Sequence, residues 1–138
     1  MSERSEEEVC TLLDLDNAFY RYAKNRTLEE YRKFLYVFFM CFNCEVKVYV
    51  PCSVREDGEA CAGIVKTSGG NFYVACTSKE QADLCRGENI GFARLDSMVL
   101  MAIDDAGVEG ICINPYSDKP CFVETEDMIQ IMANSLAD

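Results

Sequence analysis

The spacing of apolar residues changes period several times along this chain. From Leu28 they recur at helical spacing, with Leu28, Tyr31, Leu35, Phe38 and Phe42 on one stripe. Thr27-Leu28-Glu29-Glu30 ahead of the stripe predicts a capping box, in which Thr27 covers an orphan amide and Glu30 reaches back. Phe34, Val37 and Phe39 fall off the stripe, so this helix is apolar nearly all round and needs cover on more than one side. Either the preceding helix supplies that cover, or a second subunit forms a homodimer through the 27–42 helix. The preceding stretch, Cys10 to Lys24, carries Leu12, Leu13, Ala18, Phe19, Tyr22 and Ala23. It predicts one or two short helices, the second capped by Asp16.

The period then drops to two. In Glu45 to Val50 the valines 46, 48 and 50 alternate with Glu45, Lys47 and Tyr49, which predicts a half-exposed strand stopped by Pro51. A polar turn at 55–59 leads to a strand from Cys61 to Lys66. Thr67-Ser68-Gly69-Gly70 predicts a hairpin turn, and Asn71 to Cys76 the antiparallel return. Thr77-Ser78-Lys79-Glu80 reads as a second capping box with Thr77 as the cap, opening a helix to Arg86 with Gly87 as its stop. Ile90 to Arg94 reads as a short strand or an extended link. Asp96 then caps a helix through Ala106, with Val99, Leu100, Ile103 and Ala106 inward. Gly110 to Asn114 reads as a central strand, with Cys121 to Glu124 beside it. Thr125 caps a final helix whose Ile129, Met132 and Leu136 face the core, while Glu126 and Asp127 complement its dipole. Five or six strands and five helices without strict alternation predict an α+β fold. It would be a single domain at 10–138, a mixed, mostly antiparallel sheet with helices packed on it, behind a flexible acidic segment at 1–9.

A chain of 138 residues, 49% apolar, fits one domain with a substantial core. The net charge is −11. Such a surface repels phosphate backbones and anionic lipid, so neither nucleic acid nor membrane is an expected partner. Arg21, Lys24, Arg26, Arg32 and Lys33 form a local basic cluster, interleaved with Glu29 and Glu30 as on a solvated helix face. The longest apolar run, residues 34–42, is short of the roughly 20 residues a spanning helix needs. The opening residues MSERSEEEV hold no apolar signal core. The expectation is a cytoplasmic protein.

Nine cysteines and no histidine narrow the chemistry. Without histidine there is no Ser-His-Asp triad, no Cys-His pair and no His-ligated metal. Cys76, Cys112 and Cys121 occupy apolar strand positions, where a free thiol packs as a small hydrophobe. Two alternatives stand beside this reading of reduced core filler. One is a zinc site at Cys41, Cys44, Cys52 and Cys61, although only the first pair has knuckle spacing. The other is a redox pair at Cys41 and Cys44, although a helix C-terminus has the wrong dipole sign to favour thiolate. No Walker A motif or dinucleotide-binding glycine fingerprint is present. Neither a cofactor nor a metal is called for.

Three short stretches carry a family resemblance. They are the Val48-Tyr49-Val50-Pro51 strand ending, the Cys76-Thr77-Ser78 strand-to-helix junction, and Ile113-Asn114-Pro115. Over roughly Tyr49 to Leu136 the chain resembles the SseB-type N-terminal domain, the enhanced serine sensitivity family. Members of that family usually have phenylalanine where this chain has Cys76. The resemblance implies an α+β domain and carries no catalytic residues.

Two functional readings follow. In the first, the chain is a non-catalytic interaction module that presents a sheet edge or the 115–120 loop to a protein partner. In the second, the loops after two strands meet, and the helix N-terminus at Thr77 and Ser78 takes a carboxylate or phosphate ligand; catalysis is the less favoured form of this reading. Together they make Thr77, Ser78, Asn114, Tyr116, Ser117 and Asp118 the candidate interaction or ligand surface.

Overall fold

A computed structural model describes residues 10–54, 60–85 and 89–137. The acidic segment at 1–9, the turn at 55–59, and Arg86 and Gly87 lie outside the described residues, as do the side chains of Cys61 and Leu136. The fold is α+β, as the pattern predicts. In chain order the helices are α1 (Leu12–Lys24), α2 (Leu28–Asn43), α3 (Lys79–Asp83), α4 (Leu95–Asp104) and α5 (Thr125–Ala137). The strands are β1 (Lys47–Val54), β2 (Ala60–Ala62), β3 (Ile64–Thr67), β4 (Gly70–Ala75), β5 (Asn89–Arg94), β6 (Gly110–Ile113) and β7 (Cys121–Glu124).

The expected sheet is divided in two. One part has the order β2-β1-β5 and is antiparallel throughout. The other has the order β3-β4-β6-β7, with β4 and β6 parallel. Gly63 lies where β2 hands over to β3, donating to the Pro51 carbonyl at 2.8 Å and accepting from the Val74 amide at 3.0 Å. Cys76 and Tyr49 exchange two backbone hydrogen bonds of 2.8 and 3.1 Å across the same junction.

β1 runs through Pro51 rather than stopping there. Leu95 donates to the Val46 carbonyl, so the even residues of β1 face β5. Pro51 therefore turns its nitrogen away from the β5 ladder, and that pairing loses no donor. Gly70 has φ +125° in the hairpin turn, a conformation that glycine adopts without strain.

α1 is one continuous helix. Thr11 caps it in a full box with Asp14, and Asp16 lies inside it. The Thr27 box is only half formed: Thr27 accepts from the Glu30 amide at 3.1 Å, while the Glu30 carboxylate lies beside Lys33. The buried stripe of α2 is Phe34, Leu35, Phe38 and Cys41, rotated from the expected one. Leu28 is 63% exposed and Phe34 is buried. Tyr22 of α1 stacks on Phe34 at 6.3 Å, and α5 packs on the same helix, so the cover of the Phe34 face comes from within the chain, while Leu28 and Tyr36 stay exposed. Similar rotations apply elsewhere. Leu95, Met98, Val99 and Ala102 are the buried face of α4, leaving Leu100 and Ala106 outside. Asp96 is not the cap of α4; Arg94 holds that position with no side-chain bond. In α5, Met128 is buried and Ile129 is exposed.

β6 is central and buried at every position, as its sequence predicts. Ile111 and Ile113 join the main core with Leu15, Phe19, Phe38, Val48 and Val99. A smaller core of Val74, Cys76, Ala82 and Cys85 lies under α3.

Candidate functional site

The loops after β4 and β6 meet at one end of the four-stranded sheet. β4 and β6 are parallel and in register to Ala75 and Ile113, so their C-terminal ends emerge together. The Asn114 amide continues the ladder to the Ala75 carbonyl at 2.9 Å. Asn114 then turns with φ +54°, a left-handed conformation in which asparagine is one of the tolerated residues.

That turn aims the Asn114 side chain at Thr77 instead of its own backbone. The Thr77 amide donates to Asn114 Oδ1 at 2.9 Å, and Asn114 Nδ2 donates to Thr77 Oγ1 at 2.8 Å. Thr77 Oγ1 in turn donates to the Asp16 carboxylate of α1. Both residues are buried. Thr77 is therefore not the helix cap. Ser78 caps α3, accepting from the Gln81 amide at 3.2 Å. Asp16 joins through its place on α1, a role that the sequence offered no local signal for.

The rest of the predicted surface is outside. Tyr116 is 58% exposed, Asp118 is exposed and Ser117 is half-buried. The Ser117 amide and hydroxyl both donate to the Asn114 carbonyl, at 3.1 and 2.7 Å. The far end of the loop is tied to Arg26, whose guanidinium donates to the carbonyls of Lys119 and Pro120. Arg26 also lies 4.5 Å over the Tyr22 ring. Thus one member of the basic cluster is a loop tether.

Between this loop, α1 and α3 lies a groove of about 520 Å³. Tyr116, Ser117, Asp118 and Lys119 form one wall; Phe19, Tyr20, Ala23 and Lys24 form another; Gln81 and Leu84 close the third side. Gln81 Nε2 donates to the Tyr20 hydroxyl at 2.9 Å and links the α1 and α3 walls. Of the six predicted residues, Tyr116, Ser117 and Asp118 line the groove, whereas Thr77 and Asn114 form a buried brace and Ser78 caps α3. A second concavity of about 640 Å³ lies on α1 and α2, where Arg21, Arg32 and Lys33 surround Leu28, Tyr36 and Val37.

Five of the eight described thiols, those of Cys41, Cys76, Cys85, Cys112 and Cys121, pack as core. Cys41, Cys76, Cys112 and Cys121 are fully buried, and Cys76 and Cys85 touch at 3.8 Å between sulfurs. Burial pushes the Cys41, Cys112 and Cys121 thiols up to about 12. Cys76 moves the same way, by burial first and the Cys85 thiol next. A thiol held this far from thiolate is a poor nucleophile, which removes the support for a redox pair at Cys41 and Cys44. These two instead pin the start of α1: Cys41 Sγ contacts the Thr11 carbonyl, and Cys44 Sγ accepts from the Cys10 amide. Among the described residues no three Cys, Asp or Glu side chains gather as a metal site, and no helix is long and apolar enough to cross a membrane.

Comparison with family models, with characterised proteins and with solved structures finds no match to this chain.

Proposed function

We propose that this chain is a non-catalytic interaction module of the SseB-like type, working in the cytoplasm, and that it binds a segment of a partner protein in the groove beside Tyr116. One observation carries the reading: the 115–120 loop is held at both ends while Tyr116 stands exposed. Asn114 accepts from Ser117 at one end, and Arg26 donates to Lys119 and Pro120 at the other. A loop ordered in advance loses little freedom on binding, and an exposed tyrosine beside an apolar wall is a common anchor.

The ligand-sensing alternative draws less support from Thr77. The amide and hydroxyl of Thr77 already serve Asn114 and Asp16, so an anion would have to displace a buried brace. The chemistry available for catalysis is also thin. The chain has no histidine, and its core thiols are held protonated.

The test is affinity capture from a native lysate, followed by hydrogen exchange on the purified complex. The reading expects protection at residues 116–119, 20–24 and 81–84. Protection confined to other surfaces would reject the groove.

A further inference from the structure

β5 is an edge strand, paired with β1 on one side only among the described residues. Its hydrogen-bonding parity follows from two observations. Leu95 donates to the Val46 carbonyl, and Tyr49 exchanges backbone bonds with Cys76 on the opposite side of β1. Backbone groups alternate sides along an antiparallel strand, so Val48, Val50 and Cys52 face β5. Their partners in register are Ala93, Gly91 and Asn89. The N–H and C=O groups of Ile90, Phe92 and Arg94 therefore point to the open edge. Among the described residues nothing pairs with the backbone of Ile90 or Phe92.

Of the three side chains on this face of β5, Ile90 and Phe92 are apolar and the third is Arg94. Phe92 is 64% exposed and lies against Tyr49 at 4.7 Å between ring centres. Ile90 is 36% exposed and pairs with Pro51. Natural edge strands are usually blunted by charge, proline or a bulge at such positions. Here Ile90 and Phe92 carry none of these, and Arg94, the next residue on the same face, is drawn toward Asp96 and Glu45.

We infer that the β5 edge docks an extended, basic-flanked segment of another protein, which adds as a further strand with apolar side chains beside Ile90 and Phe92. The period-two row of donors and acceptors calls for an extended backbone. The charge selects the partner. The one cation on this edge, Arg94, is already paired with Glu45 and Asp96, and a chain of net charge −11 repels a second copy of itself and attracts a cationic segment. This proposal rests on the interaction-module reading but not on the Tyr116 groove, because no β5 residue lines that groove.

The probe is a labelled seven-residue peptide in which three valines alternate with two threonines between terminal lysines. Its controls are the same peptide with N-methylated valines and one with glutamates at the ends. In the free protein the Ile90 and Phe92 amides should exchange rapidly and those of Gly91 and Ala93 slowly. The peptide should slow the first pair. N-methylation should weaken binding by tenfold or more, roughly 1.4 kcal/mol, and glutamate ends should weaken it further at low salt. Ile90→Pro should fold, because the Ile90 amide points outward, and should lose the peptide. Tyr116→Ala should bind the peptide as the parent does, so failure at the groove and failure at the edge are read separately. A slowly exchanging Phe92 amide in the free protein, equal binding of the N-methylated peptide, or no binding up to about 1 mM would each overturn the proposal. So would self-association that Ile90→Pro abolishes, since the edge would then belong to a second copy.

Discussion

Thr77 and Asn114 lie 37 residues apart and are joined by two reciprocal hydrogen bonds, amide to Oδ1 at 2.9 Å and Nδ2 to Oγ1 at 2.8 Å. This brace closes the ends of β4 and β6 and sets the direction of the loop that carries Tyr116. Asn114→Ala removes both bonds, strands the buried Thr77 amide and leaves a side chain poorly suited to φ +54°. The expected cost is about 2–4 kcal/mol in urea unfolding. A double-mutant cycle with Thr77→Val should show a coupling of about 1–2 kcal/mol; additive losses would mean the two residues act separately.

The end of α2 supplies a stabilising change. The Val46 amide donates to the Cys41 carbonyl and the Glu45 amide to the Phe42 carbonyl, the bond pattern that closes a helix through a left-handed residue. That residue is Glu45, at φ +58°. Glu45→Gly should raise stability by about 0.5–1 kcal/mol, because the strain outweighs the exposed ion pair to Arg94. A lower urea midpoint would show that the ion pair dominates.

The two α2 stripes separate cleanly by mutation. Phe38→Ala should cost about 3–5 kcal/mol as a core truncation. Leu28→Ala should stay within about 0.5 kcal/mol, because Leu28 is on the surface. Equal losses would restore the stripe read from spacing.

That stripe shows what the sequence could and could not disclose. Periodicity identifies α2 and its start at Thr27, but a helix apolar on most sides does not say which side faces inward. The choice depends on where Tyr22 and α5 dock. The strand pattern was more legible: Val48 and Val50 are buried as alternation requires, and β6 is buried throughout as a central strand. The continuation of β1 through Pro51 was not, because tolerance of proline depends on which neighbour its nitrogen faces. At the site, Tyr116 and Asp118 were readable as a proline-bounded surface loop. The brace was not. Thr77 looks locally like a cap, and only the parallel register of β4 and β6 brings Asn114 and Asp16 to it.

The buried thiols predict a stability that falls on the alkaline side. Cys112 and Cys121 titrate near 9.0 when unfolded and are pushed up to about 12 in the fold. Their folded pKa values are raised, so their contribution is complete below pH 9 and is lost as pH climbs toward 12. Above pH 9 the unfolded chain binds fewer protons, and stability should drop by up to about 1.4 kcal/mol per pH unit for each thiol. Urea unfolding at pH 8, 9 and 10 measures this. A flat profile, or rapid native labelling of Cys112 and Cys121 by a thiol reagent, would place these thiols in contact with solvent.

The most direct measurement is a calorimetric titration of the purified partner, identified by affinity capture, into the parent chain and into Tyr116→Ala, with urea unfolding run on both. The account predicts at least a tenfold loss of affinity, roughly 1.4 kcal/mol, with stability unchanged within about 0.5 kcal/mol. Unchanged affinity would contradict it by moving the functional surface away from the loop, and a large loss of stability would contradict it by making Tyr116 part of the core.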